Sequence, residues 1–93
     1  MFLAAYVFAG DPQELLTAYR RFLASLPPEA LTLHVCACRH DGLFVIDACP
    51  SEETFLAFSG GHEFRTMVDA AGLPQPTVEP LGDVLELRAP VAP

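Results

Sequence analysis

The stretch LTLHVCACRHDGLFVIDACP, residues 31–50, decides how this chain is read. Two runs of alternating character flank Asp41-Gly42, a dipeptide suited to a two-residue hairpin because mirror-image turns need positive φ at both central positions. With strands at 31–39 and 43–49, that turn predicts a register in which His40 faces Leu43, Cys38 faces Val45, Cys36 faces Asp47 and His34 faces Cys49, all on one side of the sheet. The other side holds Leu33, Val35, Ala37, Phe44, Ile46 and Ala48, and is wholly apolar. A hairpin that is apolar on one face and carries His, Cys and Asp on the other is either a site or a tolerant core.

Outward from the hairpin, residues 2–9 read as a strand of aromatic and small apolar residues. Asp11 then supplies an N-cap, Pro12 the first helical position and Glu14 the third residue of a capping box. Leu15, Tyr19, Phe22 and Leu26 recur at helical spacing beside Leu16 and Leu23 until Pro27-Pro28 stops the run. After the hairpin, Ser51 caps a second helix with Glu52 and Glu53 near its positive end, and Phe55 and Phe58 give it a core face. Gly60-Gly61 interrupts that helix, which resumes through Phe64, Met67, Val68 and Ala71 and closes at Gly72. LPQPTVEP is too rich in proline for a central strand, so DVLELR is expected to be the fourth strand. The order β-α-β-β-α-β is the ferredoxin-like α+β arrangement: a four-stranded antiparallel sheet with two helices on one face. A single domain is expected over residues 1–89, with 90–93 a flexible tail.

The charge pattern excludes several partners. A net charge of -7, from five arginines, no lysine and twelve acidic residues, lacks the basic footprint that a phosphate backbone requires, so neither nucleic acid nor an anionic membrane is expected. MFLAAYVFAG has no basic residue before its apolar run and meets Asp11-Pro12, so it reads as a strand and not as a leader or a membrane span. Three cysteines, two of them a C-x-C pair on one strand face, imply a reducing compartment, and the protein is expected to be cytoplasmic. Because two helices cover one sheet face and both faces of the hairpin are largely apolar, a homodimer through the open sheet face is expected.

Over residues 43–83, in particular GLFVIDACPSEETFLAFSGGHEFRTMVDAAGLP, the succession of strand, Ser-Glu-Glu helix cap, aromatic helix, small break and resumed helix resembles the dimeric α/β-barrel superfamily. That superfamily includes antibiotic-biosynthesis-type monooxygenases, polyketide cyclases and haem-degrading relatives. The resemblance implies a dimeric barrel and an apolar small-molecule ligand held between sheet and helices. The haem-degrading branch carries a tryptophan and an axial histidine on the second helix. Aligned from Ser51, those positions fall on Phe58 and Val68, so the haem ligand is missing.

His34 and Asp47 are the candidate catalytic pair: a histidine beside a carboxylate is a base near neutral pH, the carboxylate fixing its tautomer and stabilising the imidazolium. The competing reading is a core His and Asp that satisfy one another by a hydrogen bond. The H-x-C-x-C set with Asp47 offers zinc-type ligands, but alternate residues of a strand lie about 7 Å apart, too far for three of them to meet one tetrahedral ion. No metal is therefore expected, and with no phosphate loop or nucleotide fingerprint no cofactor is expected either. Candidate ligand-binding residues are Tyr6 and Tyr19, whose phenols need partners if buried, with Cys36, Phe55, Phe58 and His62. Plain packing competes with each of them, and His62 also suits a helix cap. The reading that follows is a cofactor-independent enzyme of cyclase, isomerase or monooxygenase type, acting on an apolar oxygenated metabolite such as a polyketide or aromatic intermediate. The alternative is a non-catalytic dimer that binds a hydrophobic ligand or assembles with another protein.

Overall fold

The structure is a computed structural model and describes residues 1–27 and 33–88. The expected tail at 90–93, and the start of the second strand at 31–32, lie outside the described residues. The elements run β1 (Phe2–Ala9), α1 (Pro12–Ala24), β2 (Leu33–Arg39), β3 (Gly42–Cys49), α2 (Glu52–Ser59), α3 (His62–Ala71) and β4 (Thr77–Asp83). The four strands form one antiparallel sheet in the order β2-β3-β1-β4, consistent with the ferredoxin-like fold.

The helix ends follow the local chemistry. Asp11 caps α1 with Pro12 in the first turn, its carboxylate accepting from Gln13 N at 3.3 Å. Ser51 caps α2 by accepting from Thr54 N, and Gly72 ends α3 in the left-handed region at φ 83°. The Gly60-Gly61 break splits the expected second helix into α2 and α3, because the Gly61 backbone is extended at φ -82° and ψ 153°.

The hairpin register differs from the sequence expectation by two residues. Arg39 pairs with Gly42, Cys38 with Leu43, Cys36 with Val45 and His34 directly with Asp47. The turn is His40-Asp41, and neither residue has positive φ, so it is not the mirror-image turn that Asp-Gly suggests. Gly42 serves a different purpose. It pairs with Ala9 of β1, and a Cβ built on it would stand 1.9 Å from the Phe8 carbonyl oxygen. Glycine is needed there for close backbone approach, and the turn falls one residue earlier. The faces keep their parity, so His34, Cys36 and Cys38 still share a side with Asp47.

The fourth strand also falls elsewhere: it is the proline-containing TVEPLGD, and not DVLELR. β4 is an edge strand with one partner, so Pro80 needs no amide proton on its free side. Against β1 the register shifts between Leu3 and Ala4: Gly82 pairs with Leu3 and Pro80 with Ala4, leaving Leu81 as the extra residue of a bulge. Leu85 and Leu87, expected in a strand, are exposed at 97% and 53%.

The core lies between the sheet and the helices. Phe2, Ala4, Tyr6 and Phe8 of β1 and Leu43 and Val45 of β3 meet Leu15, Tyr19 and Phe22 of α1, Phe55 of α2, and Phe64 and Val68 of α3. No helix of the described residues is long and apolar enough to cross a membrane. Replacing Gly42 with Ala is expected to force β3 away from Phe8. Urea unfolding should show a loss of about 2 kcal/mol or more, the range of severe overpacking; an unchanged midpoint would refute the close-approach account.

Candidate functional site

The alternation of β3 turns Val45, Asp47 and Cys49 toward the helices, and that of β2 does the same for His34. Direct pairing sets the two polar side chains edge to edge, with His34 Nδ1 2.6 Å from Asp47 Oδ1. A carboxylate only accepts, so Nδ1 carries the proton and donates to Oδ1. In the neutral ring Nε2 is then an acceptor, and the Tyr19 hydroxyl from α1 donates to it. The result is a continuous chain, Asp47–His34–Tyr19, that ties the edge strand to the first helix. The histidine and aspartate side chains keep 17% and 19% of their surface exposed, whereas Tyr19 is buried.

This chain borders a cavity of about 280 Å³ between sheet and helices. Small-molecule sites span roughly 300–1,000 Å³, and this space falls just below that range. Tyr6, Tyr19, Phe22, Phe58 and Phe64 supply much of its wall, with Asp47, Cys49 and Thr54 as its other polar-capable members. Tyr6 is buried, and its hydroxyl has no hydrogen-bond partner among the described residues.

Burial, more than the neighbouring Cys49 and Asp47, holds the Tyr6 phenol well above its ordinary pKa. Tyr19 is raised as well, again chiefly by burial, with Cys36 and Asp47 adding to it. Both phenols therefore stay protonated where a free tyrosine ionises. Partial desolvation pushes up the thiol of Cys49, with Asp47 adding to it, and that of Cys36, whose residue is otherwise exposed, with Cys38 adding to it, so neither has the lowered pKa of a reactive nucleophile.

The other candidates are distributed unevenly. Phe58 lies in the cavity wall although it is partly exposed. Phe55 is buried behind the wall against Phe2, ring centroids 5.3 Å apart. Cys36 and Cys38 are exposed on the uncovered end of β2. His62 is exposed in the first turn of α3, 3.3 Å from the Thr66 hydroxyl. No group of three or more His, Cys, Asp or Glu among the described residues is arranged to hold a metal ion. Sequence reasoning missed Phe8, Phe22, Phe64, Cys49 and Thr54 as wall residues. Phe8 and Cys49 were accessible from strand alternation with Tyr6 and Asp47, but the helical ones were indistinguishable from ordinary core.

No family model and no curated protein matches the chain. The order of elements and the sheet topology show a small α+β domain compatible with the ferredoxin-like fold and do not by themselves specify a family.

The two tyrosines should separate on substitution. Tyr6→Phe removes a hydroxyl that bonds to nothing among the described residues and is expected to leave stability unchanged or raise it by up to about 1 kcal/mol. Tyr19→Phe strands Nε2 of His34 and should cost about 1 kcal/mol or more in denaturant unfolding. Folded phenols raised above the ordinary value of 10 hold their protons where the unfolded chain has lost them. Their stabilisation is full below pH 10 and declines as pH rises through the folded values. Tyr6→Phe should make that alkaline decline shallower, and an identical slope would contradict the assignment.

Proposed function

We propose that the chain is a cofactor-independent enzyme that moves a proton on an apolar, oxygenated small molecule, as cyclisation and isomerisation require. The observation that carries this reading is the Asp47–His34–Tyr19 chain at the wall of an otherwise apolar cavity. The chain lines up three proton-bearing groups in hydrogen-bond contact, and two of them, Asp47 and Tyr19, stand in the wall itself.

In the reaction, a substrate oxygen sits in the cavity with an acidic C–H or O–H turned to the Tyr19 hydroxyl. As Tyr19 takes that proton, its own passes to Nε2 of His34. The substrate is left as an enolate or phenolate, and the positive charge rests on an imidazolium held against Asp47. The relay avoids a free phenolate, which burial disfavours at Tyr19. Reversal of the same path returns a proton to another substrate atom. The apolar wall excludes water, which strengthens these interactions and protects the anion.

The functional unit is a homodimer in this reading. The sheet face away from the helices presents Leu3, Val7, Phe44 and Ile46 half-buried and Val35 49% exposed, a contiguous apolar surface of the kind another sheet covers. Light scattering at micromolar concentration should give twice the chain mass, and a monomer mass would refute this.

A direct test of the chemistry is hydrogen–deuterium exchange of the carbon acid 2-tetralone, followed by NMR in D₂O. The protein should accelerate exchange next to the carbonyl. His34→Gln and Asp47→Asn, which preserve volume, should each reduce the acceleration by at least about tenfold, within the range of general-base effects. If 2-tetralone binds but exchanges no faster than in buffer, the protein is a ligand binder and not a catalyst.

A further inference from the structure

Asp47 is the only formally charged residue in the cavity wall among the described residues. Its Oδ1 takes the His34 bond, and Oδ2 carries the acceptor capacity that remains. Six aromatic side chains, those of Tyr6, Phe8, Tyr19, Phe22, Phe58 and Phe64, surround the same space. Ring faces carry partial negative charge and attract cations, so wall and carboxylate have the same sign of preference.

No permanently cationic side chain of the described residues stands in the wall to offset that preference. The sequence contains no lysine, so its five arginines are the only permanently cationic side chains. None lines the cavity. Arg21 is bound to the Ala71 carbonyl at 3.2 Å, and Arg39 lies over Phe44 on the opposite face of the sheet, 5.6 Å from the ring centre. Arg88 is paired with Glu86, and Arg20 and Arg65 are exposed on their helices. Of the histidines, His40 and His62 are exposed away from the site, and His34 has both ring nitrogens engaged, by Asp47 and Tyr19. An anionic group entering the cavity would lose its hydration with no cationic partner to replace it. It would also meet a half-shielded carboxylate and the field of a chain with net charge -7.

We propose that Asp47 makes the cavity select by charge: it admits apolar molecules that are neutral or carry a protonated nitrogen, and it refuses carboxylates and phosphates. Substrates whose carboxylate or phosphate group has to enter the cavity are excluded. The inference rests on the reading that the cavity binds ligands, and it is independent of whether catalysis follows.

Three probes on one skeleton test it: 2-aminotetralin, 2-tetralone and tetralin-2-carboxylate, titrated near neutral pH into the full chain by NMR, with shifts at Tyr19 and Phe58 marking occupancy of the cavity. The amine should bind at least as tightly as the ketone, and both at least about tenfold more tightly than the carboxylate, a modest fraction of what a nearby charge exerts at low dielectric. Asp47→Asn should weaken the amine and bring the carboxylate to within about threefold of the ketone. His34→Gln, which keeps the carboxylate, should retain the discrimination. Carboxylate binding to the wild-type protein as tightly as the ketone would overturn the proposal while leaving the cavity a ligand site. So would discrimination unchanged in Asp47→Asn. If none of the three occupies the cavity, the ligand-site reading falls and this inference with it.

Discussion

At Gly42 the backbone of β3 passes so close to β1 that the Phe8 carbonyl oxygen occupies the place of a side chain. The rest of the sheet follows from this contact. Ala9, Gly42 and Arg39 stand in one line across three strands, and from that line the alternation of each strand assigns every later pair. Tyr6 meets Val45, Ala4 meets Asp47, and on the far side Asp47 meets His34. A shift of two residues would preserve the faces but move each partner by about 7 Å along the strand. The histidine would then lie beyond reach of the carboxylate, and the site would consist of separate polar groups under the helices.

The site is held by mutual satisfaction. Under an apolar helical layer, a carboxylate or an imidazole alone is costly, and removing one member of such a pair leaves the other without compensation. His34 answers both needs at once, since its two nitrogens point to opposite ends of the chain, one to the Asp47 carboxylate and one to the Tyr19 phenol. The Tyr19 bond also spans β2 and α1, so packing of the first helix and orientation of the imidazole are one event. Tyr6 stands outside this arrangement. It has the same chemistry as Tyr19, but β1 places it where no donor or acceptor of the described residues reaches its hydroxyl.

How much was legible in the sequence differs from element to element. Caps and breakers located the helices, because Asp11-Pro12, Ser51, Gly60-Gly61 and Gly72 each act within one turn of their own position. Alternation in residues 33–49 identified which residues share a face, and hence that His34 and Asp47 belong together. It missed the register, because Asp-Gly is a turn signal only when glycine serves the turn, and here a third strand, distant in sequence, claims that glycine for a close approach. The fourth strand was missed for a related reason. Proline weighs against a strand in general, but an edge position and a bulge remove the objection, and neither is visible before the strand order is known. The cavity was illegible: Phe22 and Phe64 read as core residues, which they also are, and an unfilled volume leaves no trace in a pattern of apolar spacing.

The two faces of the sheet invert the pattern of an isolated domain. Antiparallel sheets with helices on one side bury apolar residues under the helices and turn polar ones to solvent. Here His34 and Asp47 lie on the covered face, while the uncovered one carries Leu3, Val7, Val35, Phe44 and Ile46 around the buried Ala5 and Ala48, with Arg39 at its margin over Phe44. A sequence under no demand but solubility gains nothing from either choice. The covered face accepts a desolvation cost to hold His34 and Asp47 beside a cavity, and the open face leaves apolar area in water unless a second surface covers it. Both departures are intelligible together if the face that meets solvent in one chain is the seam of an assembly, and the face beneath the helices is where small molecules meet the protein.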